Sequence, residues 1–194
     1  MATRRLFPFM IFLFALIFVF SGKEAQSGTK ERYKRSVENY VIPDVMLVNQ
    51  NGARVNLSLL LNWKKAAMVD FIYTTCTTIC PFLSAGFSNF QKKMGPDSND
   101  VQLVSISIDP EHDTPTRLNE YLKRYDAKPG WDFLTGPRDD IEKVLKSFSA
   151  YTQNKMSHSQ LVLLYSPAGK RWVRIYGLIG TSDLLKEGEK VFRQ

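Results

Sequence analysis

Ala67-Met68-Val69-Asp70-Phe71-Ile72-Tyr73-Thr74-Thr75-Cys76-Thr77-Thr78-Ile79-Cys80-Pro81 is the stretch from which the rest of the chain can be read. Ala67 to Tyr73 is apolar toward both faces except at Asp70, the pattern of a strand buried on both sides. Pro81 suits the first turn of a helix, where its missing N–H costs nothing. Phe82, Leu83, Phe87 and Phe90 continue from it at helical spacing. Between strand and helix stand Cys76 and Cys80, the only two cysteines among 194 residues. Disulfide stabilisation grows with the length of loop closed, and a pair four apart closes almost the shortest loop there is. Chemistry explains the pair better: reversible disulfide formation, or capture of a soft metal by two thiolates.

Outward from this stretch the periods alternate. Val45 to Val48 and Ala53 to Leu57 flank Asn51-Gly52, a hairpin dipeptide whose residues both tolerate positive φ. Val101 to Ile108 reads as a strand. Thr114-Pro115 supplies an N-cap and a first-turn proline for a helix carrying Leu118, Tyr121, Leu122 and Tyr125. Asp139 to Tyr151 reads as a further helix with Ile141, Val144, Leu145 and Phe148 inward. Leu161 to Tyr165 and Trp172 to Tyr176 form two strands joined by Ser166-Pro167-Ala168-Gly169, and Ser182 to Phe192 closes the chain as a helix. Strands separated by helices imply parallel pairing, while the last two strands, tightly joined, must be antiparallel. The expectation is an α/β protein: a thioredoxin-like mixed sheet flanked by helices, with an N-terminal β-hairpin.

Arg4 and Arg5 precede an apolar run from Leu6 to Phe20, the layout of a secretory signal. The run is shorter than the roughly 20 residues of a membrane-spanning helix, yet no clear small-x-small cleavage site follows it. Residues 1–22 therefore read as a signal peptide or an uncleaved membrane anchor. No cysteine follows the run, which excludes bacterial lipoprotein attachment. Residues 23–39 read as a charged tether, and residues 40–194 as one domain of the usual size for a single core. Formal net charge is +7. The basic residues are not interleaved with aromatics as nucleic-acid platforms require, so a nucleic-acid partner is not expected. The chain is expected to be exported, to the periplasm or the outer face of the inner membrane, and to act as a monomer.

Placed on this fold, Cys80 lies at a helix N-terminus, where backbone N–H groups favour an anion, so its thiolate is expected to be the stabilised one. His158, in Lys155-Met156-Ser157-His158-Ser159, lies in the loop entering the strand from Leu161. In a thioredoxin-like fold that loop packs beside the cysteines. Two thiolates and a neutral imidazole suit copper, and a solvated loop histidine is the alternative. Asp109 ends the neighbouring strand and either steadies the site from behind or simply closes a turn before Pro110. His112 reads as a solvated residue near a helix start, and Met156 as a loop methionine packing on the core.

The run Phe71 to Thr74 leading into Cys76-x-x-x-Cys80-Pro81 resembles the metal-binding motif of the Sco/SenC family. Ser105-Ile106-Ser107-Ile108-Asp109-Pro110-Glu111-His112-Asp113-Thr114-Pro115 resembles that family's second hallmark. His158-Ser159, an apolar strand and Pro167-x-Gly169 match the third. The resemblance runs from about Val41 to the C-terminus. It implies a thioredoxin-like domain that binds copper through Cys76, Cys80 and His158, in exported and usually membrane-tethered proteins that help assemble the copper centre of cytochrome c oxidase. Thr77 stands where the family commonly has proline after its first cysteine, and Ser157 where it commonly has aspartate before its histidine.

Three functions follow as expectations. The first is a copper metallochaperone that hands its ion to the copper-site subunit of the oxidase. The second is an exported thiol–disulfide oxidoreductase, with Cys76 and Cys80 as the redox pair, keeping the thiols of that apoprotein reduced. The third is a peroxiredoxin-like peroxidase, which would want a proline in the approach to its reactive cysteine, where this chain has none.

Overall fold

The computed structural model describes residues 32–61 and 64–192. The apolar run read as signal or anchor, and the tether up to residue 31, lie outside the described residues. Among the described residues no helix is long and apolar enough to cross a membrane.

The described residues contain eight strands and five α-helices. The strands are β1 (Tyr33–Glu38), β2 (Met46–Asn49), β3 (Arg54–Asn56), β4 (Ala66–Ile72), β5 (Val101–Ser107), β6 (Trp131–Thr135), β7 (Leu161–Ser166) and β8 (Arg171–Gly177). The helices are α1 (Leu57–Leu60), α2 (Ile79–Met94), α3 (Pro115–Arg124), α4 (Arg138–Ser147) and α5 (Thr181–Phe192). All strands join one sheet in the order β1-β8-β7-β4-β5-β6-β2-β3. β4, β5 and β6 are parallel, and every other pairing is antiparallel. This is the mixed sheet that the alternating periods predict, with the hairpin at one edge.

Side-chain alternation along the central strands splits the core in two. Met68 and Ile72 of β4, Leu103, Val162 and Leu164 meet Leu83, Phe87 and Phe90 of α2, Leu118 and Tyr121 of α3, and Leu184 of α5. On the other face Val69, Phe71, Val104, Ile106, Leu163 and Trp172 meet Ile141, Val144 and Leu145 of α4 and Leu57 of α1. Every residue of β4 is buried, as its two-sided apolar pattern requires. Asp70 is among them, on the face that carries Met68 and Ile72.

Two strands escape the sequence pattern. β1 lies inside the segment read as tether. It is mostly exposed and rich in charge, the composition that keeps an edge strand from recruiting other chains. It is held by Glu187 of α5, a buried carboxylate that accepts from Tyr33 Oη (3.3 Å) and Arg35 Nε (2.9 Å) and pairs with Lys190 (2.8 Å). β6 pairs with β5 on one side and β2 on the other. Its five residues lie between Gly130 and Gly136 and carry the Asp132 carboxylate and the Thr135 hydroxyl, too short and mixed for a clear period.

The β1–β8 seam depends on Gly177, the last residue of β8. Its φ is +109°, in the region that favours glycine, and an added Cβ would stand 2.9 Å from the Arg32 carbonyl oxygen. Gly177→Ala should destabilise the fold by about 1–3 kcal/mol and speed amide exchange through residues 33–38. Gly169→Ala, where the Cβ meets open space, should stay within about 0.5 kcal/mol. Urea unfolding of the two variants and the wild type checks this, and equal midpoints for the pair would refute it.

Candidate metal centre

The parallel strands set where the site forms. β4 ends at Ile72, six residues (73–78) cross over, and α2 starts at Ile79. β7 runs antiparallel to β4, so the loop entering it arrives at the same end of the sheet. That loop is a 3₁₀ turn, Lys155–Ser157, capped by the Asn154 side chain accepting from Met156 N–H. His158 follows it directly.

Cys76, Cys80 and His158 converge: one ligand atom from each lies within 4.8 Å of the others. Cys80 Sγ is 3.4 Å from His158 Nε2. His158 Nδ1 is 2.7 Å from the Lys155 carbonyl oxygen, which can only accept, so Nδ1 carries the proton of the neutral ring. Burial lowers the His158 pKa and keeps the ring neutral. Nε2 thus presents its lone pair to the two sulfurs, the tautomer that a metal ligand needs. Tyr73 braces the imidazole edge-on, its ring centre 5.2 Å away. Both cysteines are free thiols.

The helix N-terminus does favour a thiolate, but that of Cys76 and not Cys80. α2 begins one residue before Cys80, so Cys80 sits inside the first turn with its thiol fully buried. Its backbone N–H points back to Cys76 Sγ (3.4 Å). Burial pushes Cys76 up, but the Cys80 N–H and Thr78, whose hydroxyl lies 3.6 Å from the sulfur, outweigh it and bring the pKa to about 7. Burial, followed by the neighbouring Cys76 thiol, pushes Cys80 far above the ordinary thiol value.

Asp109 does not touch Cys76, Cys80 or His158. It accepts from Lys155 Nζ, and its Oδ1 lies 2.9 Å from His112 Nδ1. Burial alone would raise its pKa, and the two bases pull it below the ordinary carboxylate value. Since the Lys155 carbonyl holds His158, Asp109 reaches the imidazole through one intervening residue. This route bypasses Ser157, where a family aspartate would stand. His112 is exposed, as its sequence context implies. Asp109, Glu111 and His112 also lie within 4.8 Å of one another, but both carboxylates are already paired, with Lys155 and Arg138. Met156 is exposed rather than packed on the core. A cleft of about 540 Å³ between Gln50, Asn119 and Trp131 lies at the other end of the parallel strands and includes no residue of this cluster.

Four residues contribute to the site without a role in the sequence reading. Asp113, wholly buried, accepts from Thr74 N–H (3.2 Å), Thr74 Oγ1 (2.5 Å) and Ser107 Oγ (2.6 Å), tying the start of the cysteine loop to the end of β5. Tyr73 and Lys155 brace His158. Asp70 lies beneath the site with both carboxylate oxygens buried and lacking a well-formed hydrogen bond, and burial raises its pKa to about 7. The Ser105 hydroxyl opposite it on β5 moderates that rise. Asp70 was visible as the one polar residue of the strand; the others needed tertiary proximity.

The SCO1/SenC family model matches residues 34–190. A SCO1 protein homolog of Bacillus subtilis is 36% identical over 140 residues, 68% of this chain and 72% of that one. The solved structure of Bradyrhizobium japonicum ScoI with copper bound superposes with a TM-score of 0.65 at 27% identity, covering 78% of this chain and 99% of that one. That of BsSco, described as a member of the Sco family of cytochrome c oxidase assembly proteins with a disulfide switch, gives a TM-score of 0.65 at 31% identity, covering 80% and 95%.

The unequal thiols are open to measurement. Iodoacetamide should modify Cys76 with a rate that rises with pH and is half-maximal near pH 7, because the pKa is about 7 and the thiolate is the nucleophile. Cys80 should react far more slowly across neutral pH. Peptide mapping after short exposures checks this, and labelling of Cys80 ahead of Cys76 would reverse the assignment.

Proposed function

The chain belongs to the SCO1/SenC family, and from that premise we propose that it is a copper metallochaperone. It binds the ion through Cys76 Sγ, Cys80 Sγ and His158 Nε2 and delivers it to the copper centre of a cytochrome c oxidase subunit. The observation that carries this reading is the convergence of two thiols and an imidazole nitrogen free of its proton. Two soft sulfurs and one nitrogen favour copper over hard divalent ions. The binding of copper by a structural relative supports the same choice of metal. Delivery needs only exchange of soft ligands, so no bond-making turnover is required. Asp109 supports the site through Lys155, which both pairs with it and accepts from His158. Residues 1–22 serve as export signal or anchor, which places the domain in the periplasm or on the outer face of the inner membrane.

The unequal thiols favour a second role on the same residues. The Cys76 thiolate attacks a partner disulfide, forms a mixed disulfide and releases one partner thiolate. Cys80 gives its proton to His158 Nε2, 3.4 Å away, and attacks Cys76 Sγ, releasing the second partner thiolate. The partner gains two electrons, and the chain is left with a Cys76–Cys80 disulfide. Keeping an acceptor's thiols reduced prepares them for copper, so the two roles serve one end.

Copper titration should find one ion per chain with sulfur-to-copper charge-transfer absorption. Cys76→Ala or Cys80→Ala should abolish that absorption, and His158→Ala should shift it and weaken binding by at least about tenfold. Stoichiometric binding that survives Cys76→Ala would sink the metallochaperone reading. If His158→Ala sustained oxidase assembly in cells while both cysteine variants failed, the redox role would stand alone.

A further inference from the structure

Met156 is 71% exposed, among the most open of the large apolar side chains in the described residues. Its sulfur is nonetheless turned inward, 3.2 Å from the Tyr73 hydroxyl, which donates to it. Tyr73 leaves the end of β4 three residues before Cys76. Its ring lies against His158 and beneath the Lys155 ammonium, 5.4 Å from the ring centre. Burial and then the Cys76 thiol act on the same hydroxyl, raising its pKa to about 12, with Cys80 adding to the effect. One phenol therefore touches a thioether and stands beside two thiols and an imidazole.

An idle surface methionine would account for the exposure but not for the aim of the sulfur. A thioether is a weak acceptor, yet it is the partner that the buried Tyr73 hydroxyl has in this fold. A methionine side chain has three rotatable bonds, enough reach to turn from the phenol toward the neighbouring site. Thioethers bind copper in its cuprous state and hold the harder ions poorly.

We propose that Met156 is a transfer ligand, a third sulfur at the mouth of the Cys76, Cys80 and His158 site that takes up cuprous copper as the ion enters or leaves, with Tyr73 holding that sulfur in place. The inference rests on reading the site as a copper site. During exchange one donor bond to copper forms, from Met156 Sδ, as another breaks, at His158 Nε2 or a thiolate. The ion stays cuprous and nothing is oxidised or reduced.

Met156→Leu keeps the bulk and removes the donor; Tyr73→Phe keeps the ring and removes the hydroxyl. The test loads wild type and Met156→Leu with one equivalent of cuprous copper and follows its transfer to excess bicinchoninate. Met156→Leu should bind copper with unchanged stoichiometry and charge-transfer absorption but release it about tenfold more slowly, one stabilised step of the exchange being lost. With ¹³C-methyl methionine, the Met156 methyl resonance should move when cuprous copper is added. It should also differ between metal-free wild type and Tyr73→Phe. Release from Met156→Leu at the wild-type rate, or a Met156 methyl resonance that ignores copper, overturns the proposal. A wild-type protein that takes up no copper in the preceding titration overturns instead the reading of the site itself.

Discussion

The Asp113 carboxylate accepts a backbone N–H and two hydroxyls at a point with no exposure to solvent, and the cysteine loop hangs from it. Burial raises its pKa, while the bonds from Ser107 and Thr74 act against that rise. Six residues between a strand and a helix have many paths available. Fixing Thr74 to the end of β5 leaves the chain the one in which Cys76 Sγ meets the first turn of α2 and Tyr73 faces the histidine loop. Removing a partner from such a buried group costs on the order of 1–3 kcal/mol for each donor left unmade.

The histidine loop is governed from the same segment. Asp109, four residues before Asp113, pairs with Lys155, and the Lys155 carbonyl fixes the His158 ring. Cys80 and His158 are 78 residues apart in the chain, yet both halves of their site are held by the two ends of one turn, Asp109 to Asp113. The backbone of that turn is closed by Asp113 N–H on the Asp109 carbonyl (3.0 Å). A motif that contributes no atom to the Cys76, Cys80 and His158 cluster thus sets the spacing within it.

The sequence makes β4, α2, β5, α3, α4, β7, β8 and α5 legible because each buries a regular stripe, and stripes have a period. β1 has almost no buried stripe: it is held by Tyr33 and Arg35 on a carboxylate 154 and 152 residues away, which no local pattern announces. β6 is central but too short to show a period. At the site, residue type and spacing carry the two cysteines and the histidine. They do not carry the order of the thiols, which turns on where α2 begins. A helix starting one residue before Cys80 converts the expected anion into the most buried thiol and makes Cys76 the recipient of the helix's free N–H.

Asp70 has a consequence beyond the site above it. Its carboxyl has a pKa of about 7 in the folded protein, raised by burial, and the ordinary carboxylate value once the chain unfolds. Between those two values folding takes up a proton, because the unfolded chain is ionised there and the folded one is not. The contribution of this residue to stability therefore falls as pH rises through that window and levels off above about 7. Most buried carboxylates in ion pairs work in the opposite sense and fail in acid. The domain carries in Asp70 a term that strengthens as its surroundings acidify, written into the middle of the strand that leads to its cysteines.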